Sequence, residues 1–182
     1  AVTFVDVLRA GGYHTGIVGK CHAQNITGHE LTEPNIVVED AEGTPPTADV
    51  ADAFRTPRTG PEYEAELMPH WRENPDRKGP DLPYYGYDHV RFANGHADHV
   101  QGHYTAWLNA RADGKALRGP KNALPEGSDA LKAPQSWRTA MPEELYPTSF
   151  IAEESKAFIA DHLATRPDEP FYLHCSFTDP HH

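Results

Sequence analysis

The chain has 182 residues, of which 38% are hydrophobic and 24% are charged, and its formal net charge is −11 at pH 7. This composition is typical of a loop-rich globular protein, and no apolar run is long enough to cross a bilayer. The acidic balance argues against a nucleic-acid binder, which needs a surplus of Lys and Arg. The two cysteines, Cys21 and Cys175, are too few for a disulfide framework and too far apart for a CxxC motif.

A helix and a short strand are predicted first. Apolar residues spaced by three and four predict a helix over 2–9, and two glycines follow where it would end. The apolar segment 14–18 predicts a strand. Lys20 and His22 come next, two residues apart, so in an extended segment their side chains point the same way. A cation beside an imidazole predicts an anion site, with a solvated strand end as the alternative.

The middle of the chain is predicted to be mostly irregular. Residues 23–83 are polar, acidic and rich in proline, and their turn signals predict loops. A short strand is predicted at the end of "PYYGYDHV", 83–90. Helical spacing in "HYTAWLNARADG", 103–114, predicts the next helix, and segment 148–163 predicts a longer one with Thr148 or Ser149 as its N-cap.

The last predicted element is a strand. The apolar and aromatic run 170–177 predicts a buried strand that leads into "TDPHH". Helix followed by strand thus occurs twice, and polar residues come directly after each strand, where open α/β sheets bind ligands. His181 and His182 are adjacent, so only one of them can face a shared ligand in an extended loop. The predicted fold class is therefore α/β, a central sheet flanked by helices.

The segment around Lys20 matches neither of the common phosphate-binding loops. A Walker loop would require Gly in place of His14 and Ser or Thr in place of Cys21, and a dinucleotide fingerprint would require Gly in place of Tyr13. Cys21 lies beside two basic residues, which would favour a thiolate, but a small buried residue is the interpretation we prefer.

The densest cluster of polar residues contains His96, Asp98, His99 and His103. His99 and His103 are four residues apart, but the zinc-protease pattern requires a Glu where Val100 stands. We therefore predict no metal site in this chain, and interpret the cluster as substrate-facing or as part of the surface.

Two blocks, "LRAGGYHTGIVGKCH" (8–22) and "PFYLHCSFTDPHH" (170–182), resemble the type I sulfatase family of the alkaline-phosphatase-like superfamily. Segments 82–90, 96–108 and 148–159 also resemble arylsulfatase-like and choline-sulfatase-like members. The family pattern Gly-Lys-Trp-His maps onto 19–22, with Cys21 in place of Trp. The pattern Ser-Phe-x-x-Pro-His-x-Pro places His181 at its histidine and His182 at a variable position.

This resemblance implies a sulfuric ester hydrolase. In that family a formylglycine, made from Cys or Ser in a C/S-x-P-x-R motif, attacks the sulfur of a sulfate ester, and a calcium ion and cations stabilise the sulfuryl oxygens. By analogy Lys20 binds the sulfate, His22 acts as a base, and His181 helps to protonate the leaving alcohol. The implied substrate is a sulfated small molecule or sulfated glycan. We predict that Asp98 and His103 face the leaving group, with a surface role as the alternative.

The sequence contains no C/S-x-P-x-R motif, and the family's calcium ligands are expected outside these residues. Residues 1–182 are therefore interpreted as a partial N-terminal catalytic domain, truncated at both ends and inactive alone. Export is compatible with the resemblance, but localisation stays open. Two alternatives remain: a phosphodiesterase or phosphonate hydrolase of the same superfamily, and a non-catalytic relative that binds sulfated glycans.

Overall fold

The computed structural model describes residues 2–28, 60–125 and 137–180, which form an α/β protein with a small, open, parallel sheet flanked by helices. The sheet has three strands in the order β2-β1-β3. Their bounds are β1 His14–Gly19, β2 His89–Phe92 and β3 Phe171–Ser176. The predicted class and the three predicted strand locations are thus confirmed.

Five α-helices lie in the described ranges. They are α1 Phe4–Ala10, α2 Met68–Glu73, α3 His103–Asn109, α4 Gly114–Leu117 and α5 Pro147–Thr165. Short 3₁₀ turns lie at Pro61–Tyr63, Ala97–His99, Pro120–Asn122 and Glu143–Leu145. None of these helices has both the length and the apolar character needed to cross a membrane.

The helices cover both faces of β1, because neighbouring residues on a strand point to opposite faces. Val18 packs in one apolar cluster with residues of α3 and α5, and Ile17 packs in another with residues of α1 and α2. The first cluster comprises Val18, Ala93, Val100, Tyr104, Trp107, Leu108, Met141, Phe150 and Ile151. The second comprises Val5, Ile17, Cys21, Trp71, Tyr84, Tyr87, Val90 and Phe92. Strand β1 is therefore the centre of the core.

Helix α1 begins at Phe4 because Thr3 caps it. The Asp6 backbone N–H donates to Thr3 Oγ1 at 3.2 Å, and the Thr3 N–H donates back to Asp6 Oδ2 at 2.7 Å. The start predicted from apolar spacing, Val2, lies outside the helix and is 83% exposed. The capping pair, rather than the apolar pattern, thus determines where the helix starts.

Two predictions about the last helix and strand need correction. Helix α5 has Tyr146 at its N-cap and Pro147 in its first turn, not Thr148 or Ser149. Strand β3 was predicted to be buried, but it lies at one edge of the described sheet, and Phe171, His174 and Cys175 are exposed. An apolar run predicts a strand, but its burial depends on which strands lie beside it.

The predicted loop over 23–83 is described only in part. Residues 29–59 of it lie outside the described ranges, and the remainder contains α2 and one 3₁₀ turn. Trp71 of α2 is 1% exposed, and its indole N–H donates to the Ala65 carbonyl at 2.8 Å. A single anchored aromatic residue therefore fixes this short helix to the core.

A buried histidine pair joins α5 to the start of β1. His14 Nδ1 and His162 Nδ1 are 3.1 Å apart, and His162 Nε2 is 2.9 Å from the Glu169 carbonyl oxygen. Because a carbonyl only accepts, His162 donates from Nε2 to the Glu169 carbonyl, and an Nδ1 without a proton accepts from His14. The pair lies at the amino end of the strand, opposite the edge described next.

Candidate functional site

The carboxyl ends of the three parallel strands meet at one edge of the sheet. Gly19, the last residue of β1, is in register with Phe92 of β2 and with Ser176 of β3. Lys20 follows β1, and its backbone N–H donates to the Ser176 carbonyl at 3.0 Å. Open α/β sheets bind ligands at this edge. The residues that follow the strands are therefore the candidate site.

Lys20 is half-buried and lies next to an imidazole from the loop that follows β2. Its Nζ is 3.4 Å from His96 Nδ1, and a protonated Lys20 is the donor in this contact. Removal from water lowers the pKa of Lys20, and the carboxylate of Asp179 opposes that shift. A partly desolvated ammonium group attracts an oxyanion more strongly than a solvated one does.

Asp179 brings the third strand into the site. It follows β3, and its Oδ2 accepts hydrogen bonds from the hydroxyls of Tyr146 at 2.9 Å and Thr178 at 3.3 Å. Burial, and then the Asp179 carboxylate, raise the pKa of Tyr146, so this phenol stays a donor at neutral pH. The carboxylate is thus oriented by two hydroxyls, and its charge acts on Lys20.

Lys20 and His22 line one cleft of about 480 Å³, whose other residues are mainly apolar or aromatic. Phe4, Ile17 and Tyr87 belong to this lining. His22 is exposed. The structure therefore brings together the two residues that the sequence predicted to share one side, and it places an apolar surface beside them.

Cys21 lies between these residues but cannot act as a thiolate near neutral pH. Burial, and then the Glu66 carboxylate, raise the pKa of its thiol to about 12. Its backbone N–H donates to Asn94 Oδ1 at 2.8 Å, which fixes the turn after β1 against the turn after β2. Cys21 is therefore a small buried residue, which is the interpretation that we preferred from the sequence.

Asp98 lies within the protein. It is 0% exposed, its Oδ1 accepts from the Gly119 N–H at 2.8 Å, and its Oδ2 accepts from the Trp137 indole N–H at 3.2 Å and from the Thr139 hydroxyl. Both carboxylate oxygens are therefore used to hold neighbouring loops. The sequence left open whether Asp98 faces the leaving group or lies on the surface. The buried position differs from both interpretations.

His103 lies at the first residue of α3, in a different cleft from Lys20. Its Nδ1 accepts from the Phe92 backbone N–H at 2.9 Å, and its ring packs 4.8 Å from the Trp71 ring. Burial, and then the Arg91 charge, lower its pKa to about 3. The imidazole is therefore neutral at physiological pH and holds α3 against β2.

Several histidines with lowered pKa make the fold sensitive to acid. Burial lowers the pKa of His14, His89 and His103 below the ordinary value of 6.5. Between that value and the folded-state pKa, the unfolded chain binds more protons than the native chain. We therefore expect the free energy of unfolding to be unaffected by these histidines above pH 6.5. As the pH falls below 6.5, it should decrease by up to about 1.4 kcal/mol per pH unit for each histidine.

Urea unfolding between pH 5 and pH 7 measures this slope. The matched variant is His103→Asn, because an Asn side-chain oxygen can still accept from the Phe92 N–H but does not titrate. We expect a shallower slope for the variant than for the parent chain. Equal slopes would show that His103 does not contribute to the acid sensitivity.

The remaining predicted site residue, His181, lies outside the described ranges, as does His182. Sequence reasoning missed the roles of His96 and Asp179 beside Lys20. Both lie a few residues past the carboxyl end of a strand. The rule that was applied to the ends of β1 and β3 would have indicated His96 if it had also been applied to β2, and at β3 it drew attention to His181 rather than to Asp179.

The described residues do not provide a calcium site. No group of three or more His, Cys, Asp or Glu side chains in ranges 2–28, 60–125 and 137–180 is arranged to hold a metal ion. Asp179 near Lys20 is a single carboxylate, and calcium requires six to eight oxygen ligands. A calcium ion of the family type would need ligands that these residues do not supply.

No protein-family model, curated protein or solved structure matches this chain. The sulfatase family, indicated by two sequence blocks, stays a prediction. What the structure adds is the geometry of the strand ends, where a desolvated lysine, an imidazole and an oriented carboxylate belong to three different strand termini.

Proposed function

We propose that this chain is part of the catalytic domain of a sulfuric ester hydrolase of the type I sulfatase kind, and that Lys20 binds the sulfate group. The observation that supports this most is the partly desolvated Lys20 ammonium at the carboxyl edge of a parallel sheet, 3.4 Å from His96. The Gly-Lys-x-His block puts the same lysine at the family's sulfate-binding position. The wider proposal is an alkaline-phosphatase-like fold, of which this sheet is a part.

The chemistry proposed for this chain is oxyanion binding and proton transfer. Lys20 stabilises negative charge on the sulfuryl oxygens, because a fixed cation in a partly dry site needs no reorganisation as charge develops. His22, in the same cleft, acts as the base, since imidazole titrates near neutral pH. His181 donates a proton to the leaving alcohol. The apolar lining beside Lys20 suits the carbon part of a sulfate ester.

The nucleophile must come from elsewhere. Formylglycine supplies a hydrated aldehyde that attacks sulfur, and it is made from Cys or Ser within C/S-x-P-x-R, which this sequence does not contain. The described residues supply neither this nucleophile nor a set of calcium ligands. On its own, the chain is therefore proposed to bind sulfate without hydrolysing a sulfate ester.

Binding of inorganic sulfate to the chain tests the role of Lys20. We expect sulfate, at constant ionic strength, to shift the NMR signals of the Lys20 amide and of the His96 ring. Lys20→Ala should weaken this binding about tenfold or more, because a charge-assisted contact is lost. Lys156→Ala, the same change at an exposed position of α5, is the control and should leave it unchanged. Equal binding by both variants would exclude Lys20 from the site.

The coding sequence upstream of Ala1 distinguishes the proposal from its two alternatives. An aspartate pair followed by C/S-x-P-x-R would support sulfate-ester hydrolysis. A Thr or Ser outside that motif would favour the phosphodiesterase or phosphonate hydrolase. If no nucleophile is encoded there, the anion-binding protein without catalysis becomes the better description.

A further inference from the structure

A largely buried guanidinium that forms no ion pair among the described residues follows α4. The Nε and Nη2 atoms of Arg118 are buried, and no described residue accepts a hydrogen bond from either. The guanidinium carbon lies 5.0 Å from the centre of the Tyr104 ring, and burial lowers the pKa of the arginine. Burying a charge is costly unless it is paired and hydrogen-bonded. This position therefore favours an anionic partner.

The carboxylate whose charge acts on Arg118 is Asp98, but it does not accept from these atoms. Its oxygens accept instead from Gly119, Trp137 and Thr139, as described above. The two unpaired atoms, Nε and Nη2, form one edge of the guanidinium. Their N–H bonds on that edge run parallel, and this is the geometry that binds two oxygens of a carboxylate, phosphate or sulfate group.

Arg118 lines a cleft of about 380 Å³, which is within the size range of small-molecule sites. Two further cations, Arg72 and Lys115, belong to the lining, together with polar side chains such as Asn109. The lining contributed by the described part of the chain includes no Asp or Glu. In a protein with a net charge of −11, such a local excess of positive charge is unexpected unless it binds something.

A neighbouring cleft is lined by four cations, Arg77, Lys78, Arg91 and Arg111, and two of its arginines are paired with carboxylates. Arg91 donates to both carboxylate oxygens of Glu154, at 2.8 and 2.9 Å, and Arg111 donates to Glu153 at 3.0 Å. The positive charges of Arg91 and Arg111 are therefore balanced by carboxylates of the protein. The unpaired edge of Arg118 distinguishes its cleft from this one.

We propose that the Arg118 cleft is a binding site for the sulfate or phosphate group of a small ligand. The Nε–H and Nη2–H edge of Arg118 holds two of its oxygens, and Lys115 and Arg72 add charge at the same cleft. The site shares no lining residue with the Lys20 cleft. It is thus a second anion site, independent of the proposed catalytic edge.

The test follows the Nε–H signal of Arg118 by NMR during titration with inorganic phosphate and, separately, inorganic sulfate at constant ionic strength. We expect this signal to shift and to saturate with a dissociation constant of about 1 mM or lower. Whichever anion saturates the signal at the lower concentration identifies the ligand group. Arg118→Lys keeps the charge but loses the parallel edge, and should bind about tenfold more weakly, as measured by calorimetry in a chain that also carries Lys20→Ala.

Two controls keep the result specific. Lys115→Met removes a neighbouring charge and should weaken binding about threefold, whereas Lys156→Met on α5 should leave it unchanged. Lys20→Ala should also leave the Arg118 response unchanged, so failure of the sulfatase proposal and failure of this site can be distinguished. An Arg118 signal that does not respond to either anion would overturn the site.

Discussion

Replacing Gly19 with alanine is expected to destabilise the chain by about 4 kcal/mol or more, because the backbone would have to move. Gly19 ends β1 with a φ of +112°, a conformation that L side chains rarely adopt. An added Cβ would lie 1.8 Å from the carbonyl oxygen of Ser176. That oxygen also accepts from the Lys20 N–H, so the pairing of β1 with β3 would have to open at the candidate site.

Gly12→Ala is the matched control for this prediction. Gly12 also has a positive φ, +87°, but a Cβ there would meet nothing within 4 Å. Gly12→Ala should therefore lower the free energy of unfolding by only about 1 kcal/mol, which is the cost of the backbone conformation alone. Urea unfolding of both variants gives the comparison. Equal losses would mean that the close approach of Gly19 to Ser176 does not contribute.

The elements that the sequence predicted well are those with strong local patterns. Strand β1 is an apolar segment bounded by glycine, and α5 has apolar residues at helical spacing, although its buried face also contains Ser155 and His162 and leaves Leu163 exposed. Their ends were less predictable. Thr3 and Pro147 set helix starts through capping and through proline geometry, and neither contributes to an apolar pattern.

Local sequence patterns could not predict contacts between segments that are distant in the chain. His96 reaches Lys20 only because β2 pairs in parallel with β1, and the two strands are separated by the whole of 20–88. The same strand order leaves β3 at an edge of the described sheet, so its apolar residues are more exposed than its composition predicts. The strand-end rule could therefore indicate the candidate residues, whereas their contact with Lys20 required the order and register of the strands.

The polar cluster at 96–103 shows why proximity in sequence was misleading. Gly102 has a φ of +111° and precedes α3, so the 3₁₀ turn Ala97–His99 and the helix are separate elements. His96 thus reaches the sheet edge, Asp98 is buried among loops, and His103 packs against Trp71. Composition indicated a functional cluster, whereas backbone geometry distributes its members to three places.

Replacing Asp98 with alanine is expected to lower the free energy of unfolding by about 3–5 kcal/mol, because three donors would lose their acceptor. These are the Gly119 N–H, the Trp137 indole N–H and the Thr139 hydroxyl. The loops that carry Trp137 and Thr139 would lose their common attachment to the turn after β2. Urea unfolding, followed by tryptophan fluorescence, measures both the stability and the environment of Trp137.

Asp113→Ala provides the matched control, since the side chain of this exposed aspartate accepts only the Lys115 N–H at the start of α4 among the described contacts. Loss of that cap should cost about 1 kcal/mol. If Asp98 instead faced a leaving group, Asp98→Ala would unfold like the parent chain, and its effect would be confined to ligand binding. Sulfate binding at Lys20 should be measured at low urea, where the variant is folded. A large loss of stability with this binding retained would establish that Asp98 holds the loops together, because an attachment between loops acts on the stability of the whole fold.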